Sequence, residues 1–147
     1  MSDTDLAKLY SGRILALAAD IPHLGRLANP AGTSRKRSPL CGSTVTVDVA
    51  LKDGRVAEFA QDVKACALGQ ASAAVLGRAV IGRSLTELQG ARAALASMLT
   101  QSGPVPQPPF ADYAVLLPAR DYKNRHASIL LALDATLEAV AQAEAAP

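Results

Sequence analysis

Tryptophan is absent from this chain, and its only aromatic residues are three tyrosines and two phenylalanines. A core without large rings must be assembled from Ala, Leu, Val and Ile. Half of the 147 residues are hydrophobic, which is enough to build one. A strong charge of one sign is also missing. Fifteen Lys and Arg against 13 Asp and Glu leave a formal +2, too little for broad nucleic-acid binding. The exception is the basic run SRKR at residues 34–37, which reads as a solvated loop or, more sharply, as a docking patch for an acidic partner. Two cysteines do not make a disulfide framework. No stretch approaches the roughly 20 apolar residues of a membrane span. The opening residues, MSDTDLAKLY, carry acids where a signal peptide would be basic. The expectation is a soluble, cytoplasmic chain with reduced thiols and neither nucleic acid nor membrane among its partners. Its length suits a single domain over residues 1–147, with the Ala-rich end frayed from about residue 142.

Leu6, Leu9, Tyr10, Ile14 and Leu17 recur at helical spacing, so residues 4–19 read as a helix. Residues 20–40 carry Pro22, Gly25, Pro30, Gly32 and Pro39 and read as irregular, with room for a short edge strand. Residues 43–51 alternate: Val45, Val47, Val49 and Leu51 on one face, Thr44, Thr46 and Asp48 on the other. That is the pattern of a half-buried strand. Asp53-Gly54 is a hairpin turn, since both residues tolerate positive φ. A second strand returns over 55–64 with Phe59 and Val63 inward.

Small residues then dominate, and a close-packing helix is expected over 67–81. Ser84 and Glu87 form a capping box for the next helix, whose buried stripe is Leu85, Leu88, Ala91, Leu95 and Met98. The proline-rich stretch 100–110 is a loop, and 111–117 one short helical turn. A last helix over 123–143 carries His126, Leu130, Leu133, Leu137 and Val140 on one face. Strands grouped before helices indicate an α+β fold: a small three-stranded antiparallel sheet with helices on one face.

Cys41, Cys66 and His126 are the soft or borderline ligands, each at or next to the start of a regular element. Element ends are where side chains converge at a sheet edge. Cys66 also precedes the positive end of a helix, which attracts an anionic sulfur. Blander roles stand beside this one. Cys66 could be a small buried hydrophobe and His126 a satisfied core histidine. His23 reads as a surface residue. No CxxC or HxxxH pair is present, so spacing alone gives no zinc signature.

PLCGS at 39–43 resembles the Pro-x-Cys-Gly-Asp motif of the iron–sulfur cluster scaffold family, the IscU/SufU/NifU N-terminal domains. KACALGQASAAVLGRAVIGRSLTEL resembles the family's second-cysteine segment and the small-residue helix after it. IPHLGRLANP is similar to its early Asn-Pro-x-Asn-x-Gly stretch, and NRHASILLALDA to its final His-Cys-Ser motif. The resemblance covers roughly residues 6–140 and is closest to the SufU branch. It implies Cys41, Cys66 and His126 as cluster or metal ligands, with Ser43 standing at an acidic ligand position and Ala127 at a cysteine. If the last motif is displaced by one residue, His126 stands for that cysteine instead.

The implied role is a scaffold or sulfur acceptor, not an enzyme. It takes sulfur from a cysteine desulfurase through Cys41 or Cys66 and holds iron or a transient iron–sulfur cluster. Other Suf or Isc assembly proteins are the further partners, and the chain is a monomer or weak homodimer. Two alternatives accompany it: a zinc-binding, SufU-like accessory protein of the desulfurase, and a relative that keeps the fold without the metal and serves as a regulator or binding protein.

Overall fold

The computed structural model describes residues 11–39 and 42–146. Helix α1 (Gly12–Ala18) is capped by Ser11, whose side chain accepts from the Ile14 amide at 3.3 Å. Ile14 and Leu17 are buried as the spacing predicts. The expected earlier turns, with Leu6, Leu9 and Tyr10, fall outside the described residues. Strands β1 (Gly32–Arg37), β2 (Thr44–Lys52) and β3 (Arg55–Lys64) form one antiparallel sheet in that order. Asp53 and Gly54 turn the hairpin with φ of 55° and 75°, and a register irregularity follows at Ala50/Leu51.

The run at 34–37 is therefore not a loop. It is most of β1, paired to β2 from Gly32 opposite Val49 to Arg37 opposite Thr44. Its lysine and arginines suit an edge, because charge on an edge strand discourages pairing with another chain.

The inner face of the sheet carries Val45, Val47 and Val49 opposite Val63, Gln61 and Phe59. Gln61 is the unexpected member. It is fully buried, and its Nε2 donates to the carbonyls of Pro22 (3.2 Å) and Ala73 (3.1 Å). On the outer face Asp48 is buried too, because the segment at 20–31 crosses above it. Arg26 donates from Nε at 2.7 Å and Nη2 at 3.1 Å, Leu27 from its amide at 3.0 Å, and Thr33 from Oγ1 at 2.6 Å. Burial alone would raise this carboxyl, but these donors outweigh it and hold the group below its ordinary value. The same segment seals the free side of β3: the Gln61 amide donates to the His23 carbonyl and the Gly25 amide to that of Gln61. His23 itself is exposed, with its ring edge against Phe59.

Helix α2 (Ala67–Ala79) follows, two residues shorter than expected, and α3 (Leu85–Thr100) begins with the capping box in place. The Glu87 amide donates to Ser84 Oγ at 3.2 Å, and the Ser84 amide to Glu87 Oε1 at 3.1 Å. A 3₁₀ segment (Ala111–Asp121) replaces the single turn predicted at 111–117, and α4 (Lys123–Ala145) runs two residues past its expected end. Gln142, expected in the frayed end, accepts the Thr33 amide of β1 at 3.2 Å.

Helix α4 is buried nearly all round, not on one stripe. It packs on β1 and β2 with one side and on α2 and α3 with others. No helix of the described residues is long and apolar enough to cross a membrane.

Two stability results follow from the capping box. Ser84→Ala removes the side-chain acceptor of the first turn and should cost about 1 kcal/mol, read as a lower midpoint in urea. Glu87 is held down to about 2 by the Ser84 amide first and by Arg55 second. A carboxyl depressed on folding contributes stability above its unfolded value, near 4.5, that is lost as pH falls through about 2. Thermal midpoints of the parent and of Glu87→Gln should therefore differ at neutral pH and converge toward about pH 2. A constant difference across that range would exclude Glu87 as the titrating group.

Candidate functional site

Cys66 is the residue at which β3 gives way to α2. It is the N-cap of α2, in extended conformation, and its side chain makes no capping bond. Its carbonyl starts the helix by accepting from the Gln70 amide at 2.9 Å. The thiol is thus left free of the backbone and partly exposed.

Beneath the sulfur lie two hydroxyls. Ser128 Oγ of α4 is 3.5 Å from Cys66 Sγ and 3.1 Å from Ser43 Oγ. Both serines are buried, at 1% and 3% exposure. Space for Ser128 comes from Gly69 in the first turn of α2, where an added Cβ would stand 2.7 Å from Ser128 Oγ. Ser43 is placed by the end of the loop before β2: its carbonyl accepts from the Ser38 amide at 2.8 Å, and the Gly42 amide returns to Ser38 at 2.9 Å. Gly42 takes φ of 69°, where a side chain would be strained. Cys41, two residues before Ser43, lies outside the described residues.

The structure does not bring His126 to this cluster. Its Nε2 is 3.0 Å from the Ala119 carbonyl and 3.1 Å from that of Arg120, so this nitrogen carries the proton and donates. The ring lines a separate hollow of about 530 Å³ with Leu99, Thr100, Ser102, Arg120 and Asp121. At about 100° per residue, two positions along a helix point to opposite sides. A helix that aims Ser128 at Cys66 therefore aims His126 at the 3₁₀ segment. Ala127 is exposed.

The residue that sequence reasoning passed over is Ser128, and the third residue of the His-Ala-Ser match was its one available signal. Among the described residues no group of three His, Cys, Asp or Glu side chains could hold an ion. One thiol and two neutral hydroxyls are a poor set for zinc or iron, which prefer thiolate, imidazole or carboxylate. They suit an anionic sulfur well, since each hydroxyl has a proton to donate.

The profile of the NifU-like N terminal domain family matches residues 9–141. A crystal structure of the N-terminal part of a nitrogen-fixing NifU-like protein from Brucella abortus superposes with a TM-score of 0.92 at 47% identity, covering 96% of this chain and 98% of that one. A putative iron–sulfur cluster assembly scaffold protein for the SUF system from Fervidobacterium islandicum AW-1 shares the fold, with a TM-score of 0.82 at 18% identity over 91% and 98% of the two chains. No curated protein matches at a significant level. A profile match over most of the length, joined to a near-complete superposition at 47% identity, is decisive: the chain belongs to the NifU-like N-terminal domain family.

Proposed function

We propose that this protein is a scaffold of iron–sulfur cluster assembly that works first as a sulfur acceptor. It would receive sulfur on Cys66 or Cys41 from a cysteine desulfurase and hold iron or a nascent cluster as transient cargo. The observation that carries this reading is the partly exposed Cys66 thiol standing over the paired hydroxyls of Ser43 and Ser128. Family membership supplies the context, and the relative from Fervidobacterium is described as a scaffold of this kind.

The chemistry balances without an outside oxidant. The acceptor thiolate attacks the terminal sulfur of the desulfurase persulfide. A new S–S bond forms, the old one breaks, and the desulfurase cysteine leaves as its thiolate. Ser128, paired with Ser43, is placed to donate to the anionic sulfur on Cys66 before and after transfer. The protein holds and passes on its cargo without turning over a substrate, in a cytoplasmic, reducing compartment.

A resident zinc ion would need three protein ligands, and with His126 turned away the ligating side chains are Cys41 and Cys66. The donor set therefore favours the sulfur acceptor over the zinc accessory protein.

The experiment is mass spectrometry of the chain after incubation with a cysteine desulfurase and cysteine, without iron. The parent should gain sulfur at cysteine, and the Cys41→Ser/Cys66→Ser double variant should gain none. A parent that gains no sulfur defeats the reading.

A further inference from the structure

The pleat of β1 divides the charges of the basic run. Lys36 points to the helix side, where its Nζ pairs with Glu138 of α4 at 2.5 Å. Arg35 and Arg37 stand on the outer face, opposite Thr46 and Thr44 of β2. Thr46 and Thr44 face Asp62 and Lys64 of β3 in turn. Two rows thus cross the outer face, Arg35–Thr46–Asp62 and Arg37–Thr44–Lys64. Arg26 occupies the next row, above Asp48. A hollow of about 350 Å³ opens between Arg26, Arg35, Lys64, Thr44, Thr46 and Asp62.

Three of the four cations on this face, the exposed Arg35, Arg37 and Lys64, have no ion-pair partner among the described residues. Arg26 neutralises the buried Asp48. In the three rows that carry Arg26, Arg35, Arg37 and Lys64, four cations stand against the carboxylates of Asp48 and Asp62, an excess of two; Glu58 lies one row farther on, opposite Ala50. The face is also hydroxyl-bearing, and no aromatic side chain stands in its rows to stack on a base. Asp62, in the middle, would repel a continuous phosphate backbone but can be met by a single basic residue among acidic ones. Neighbouring positions within a row stand about 4.8 Å apart, and successive rows about 7 Å apart along the strands.

The last row ends at the functional site. Arg37 leads into the loop at 38–43, and Lys64 is two residues before Cys66. A partner seated on this face reaches the Cys66 thiol with its margin.

We propose that the outer face of the sheet, centred on Arg35, Arg37 and Lys64, is the docking surface for an acidic patch on the protein that donates sulfur. The proposal rests on the sulfur-acceptor reading. Its charges act at long range, so they govern encounter and its salt dependence more than the chemical step.

The test is steady-state sulfur transfer from the cysteine desulfurase of the same organism, with this full chain as the acceptor. Arg35→Glu/Lys64→Glu should raise KM for the acceptor roughly tenfold with the maximal rate unchanged. Raising salt from about 0.05 M to 0.3 M should raise KM of the parent and not of the variant. Lys52→Glu, at the hairpin end of the sheet, should leave KM unchanged. If the parent accepts sulfur and the double variant keeps the parental KM, the docking surface is wrong and the acceptor reading stands. If the parent accepts no sulfur, both fall. Tighter binding of a short DNA duplex than of the desulfurase at the same salt would also overturn the assignment.

Discussion

Ser128→Cys should tighten metal binding on the order of 100-fold. Structural zinc sites of four ligands are worth about 10–16 kcal/mol, so one added thiolate carries roughly 3 kcal/mol. The new sulfur would stand beside Cys66 Sγ, on the side chain that already lies 3.5 Å from it. Gly69, whose missing side chain makes space for Ser128 Oγ, is the neighbour that the larger atom would meet. Ser43→Asp added to it should tighten binding further, since Ser43 Oγ adjoins Ser128 Oγ at 3.1 Å and a carboxylate is an anionic ligand where the hydroxyl is neutral. Ala127→Cys, on an exposed position, should change nothing. Competition against a chelator of known zinc affinity, under anaerobic conditions, measures all three. A gain from Ala127→Cys that matches that from Ser128→Cys would show that α4 presents a different face to Cys66.

Gly32→Ala should be the most damaging small substitution in the sheet. Gly32 opens β1, and a Cβ there would run into the backbone carbonyl of Ala139 in α4. Backbone cannot step aside as a side-chain tip can. Either β1 lifts from the helix or α4 shifts along its other contacts with β2, α2 and α3. Overpacking of this kind costs about 3 kcal/mol. For a chain of this size that is a fall in Tm of roughly 10 °C. Thermal denaturation followed by circular dichroism checks it, and a fall of less than about 2 °C would mean that β1 and α4 are not in such close contact.

Some of this architecture was legible because one physical rule acted alone. The β2 alternation reflects a strand with one buried face, and the capping box of Ser84 and Glu87 is a local bond pattern that needs no tertiary context. Strand β1 was legible only as a short edge strand somewhere in residues 20–40; its place on the basic run was not, because residues 34–37 are polar on both faces and are held in the sheet by pairing with β2. Asp48 reads as an exposed partner of Thr44 and Thr46. Its burial depends on Arg26 and Leu27, which arrive from a distant irregular segment.

The site shows the same division. Cys66 is marked by residue type and by the change from strand to helix. Ser128 carries no such mark, and its role arises only where α4, α2 and the loop before β2 meet. The spacing of His126 with Leu130 and Leu133 correctly places the histidine on a buried face. That a second buried face exists on the same helix, carrying Ser128, is a property of the packing.

The central position of α4 also has a consequence for how the chain acquires its fold. During synthesis the hairpin of β2 and β3 leaves the ribosome well before Lys123 is added, with Val45, Val47 and Val49 still uncovered. The helix that covers them comes last among the described elements. The decisive contacts therefore join residues far apart in sequence, an arrangement that slows folding and prolongs exposure of apolar strands. In that interval the arginines and lysine of β1 are the guard against pairing with a second nascent chain, and exchanging them for threonine should appear first as aggregation during expression, before any change in the finished protein.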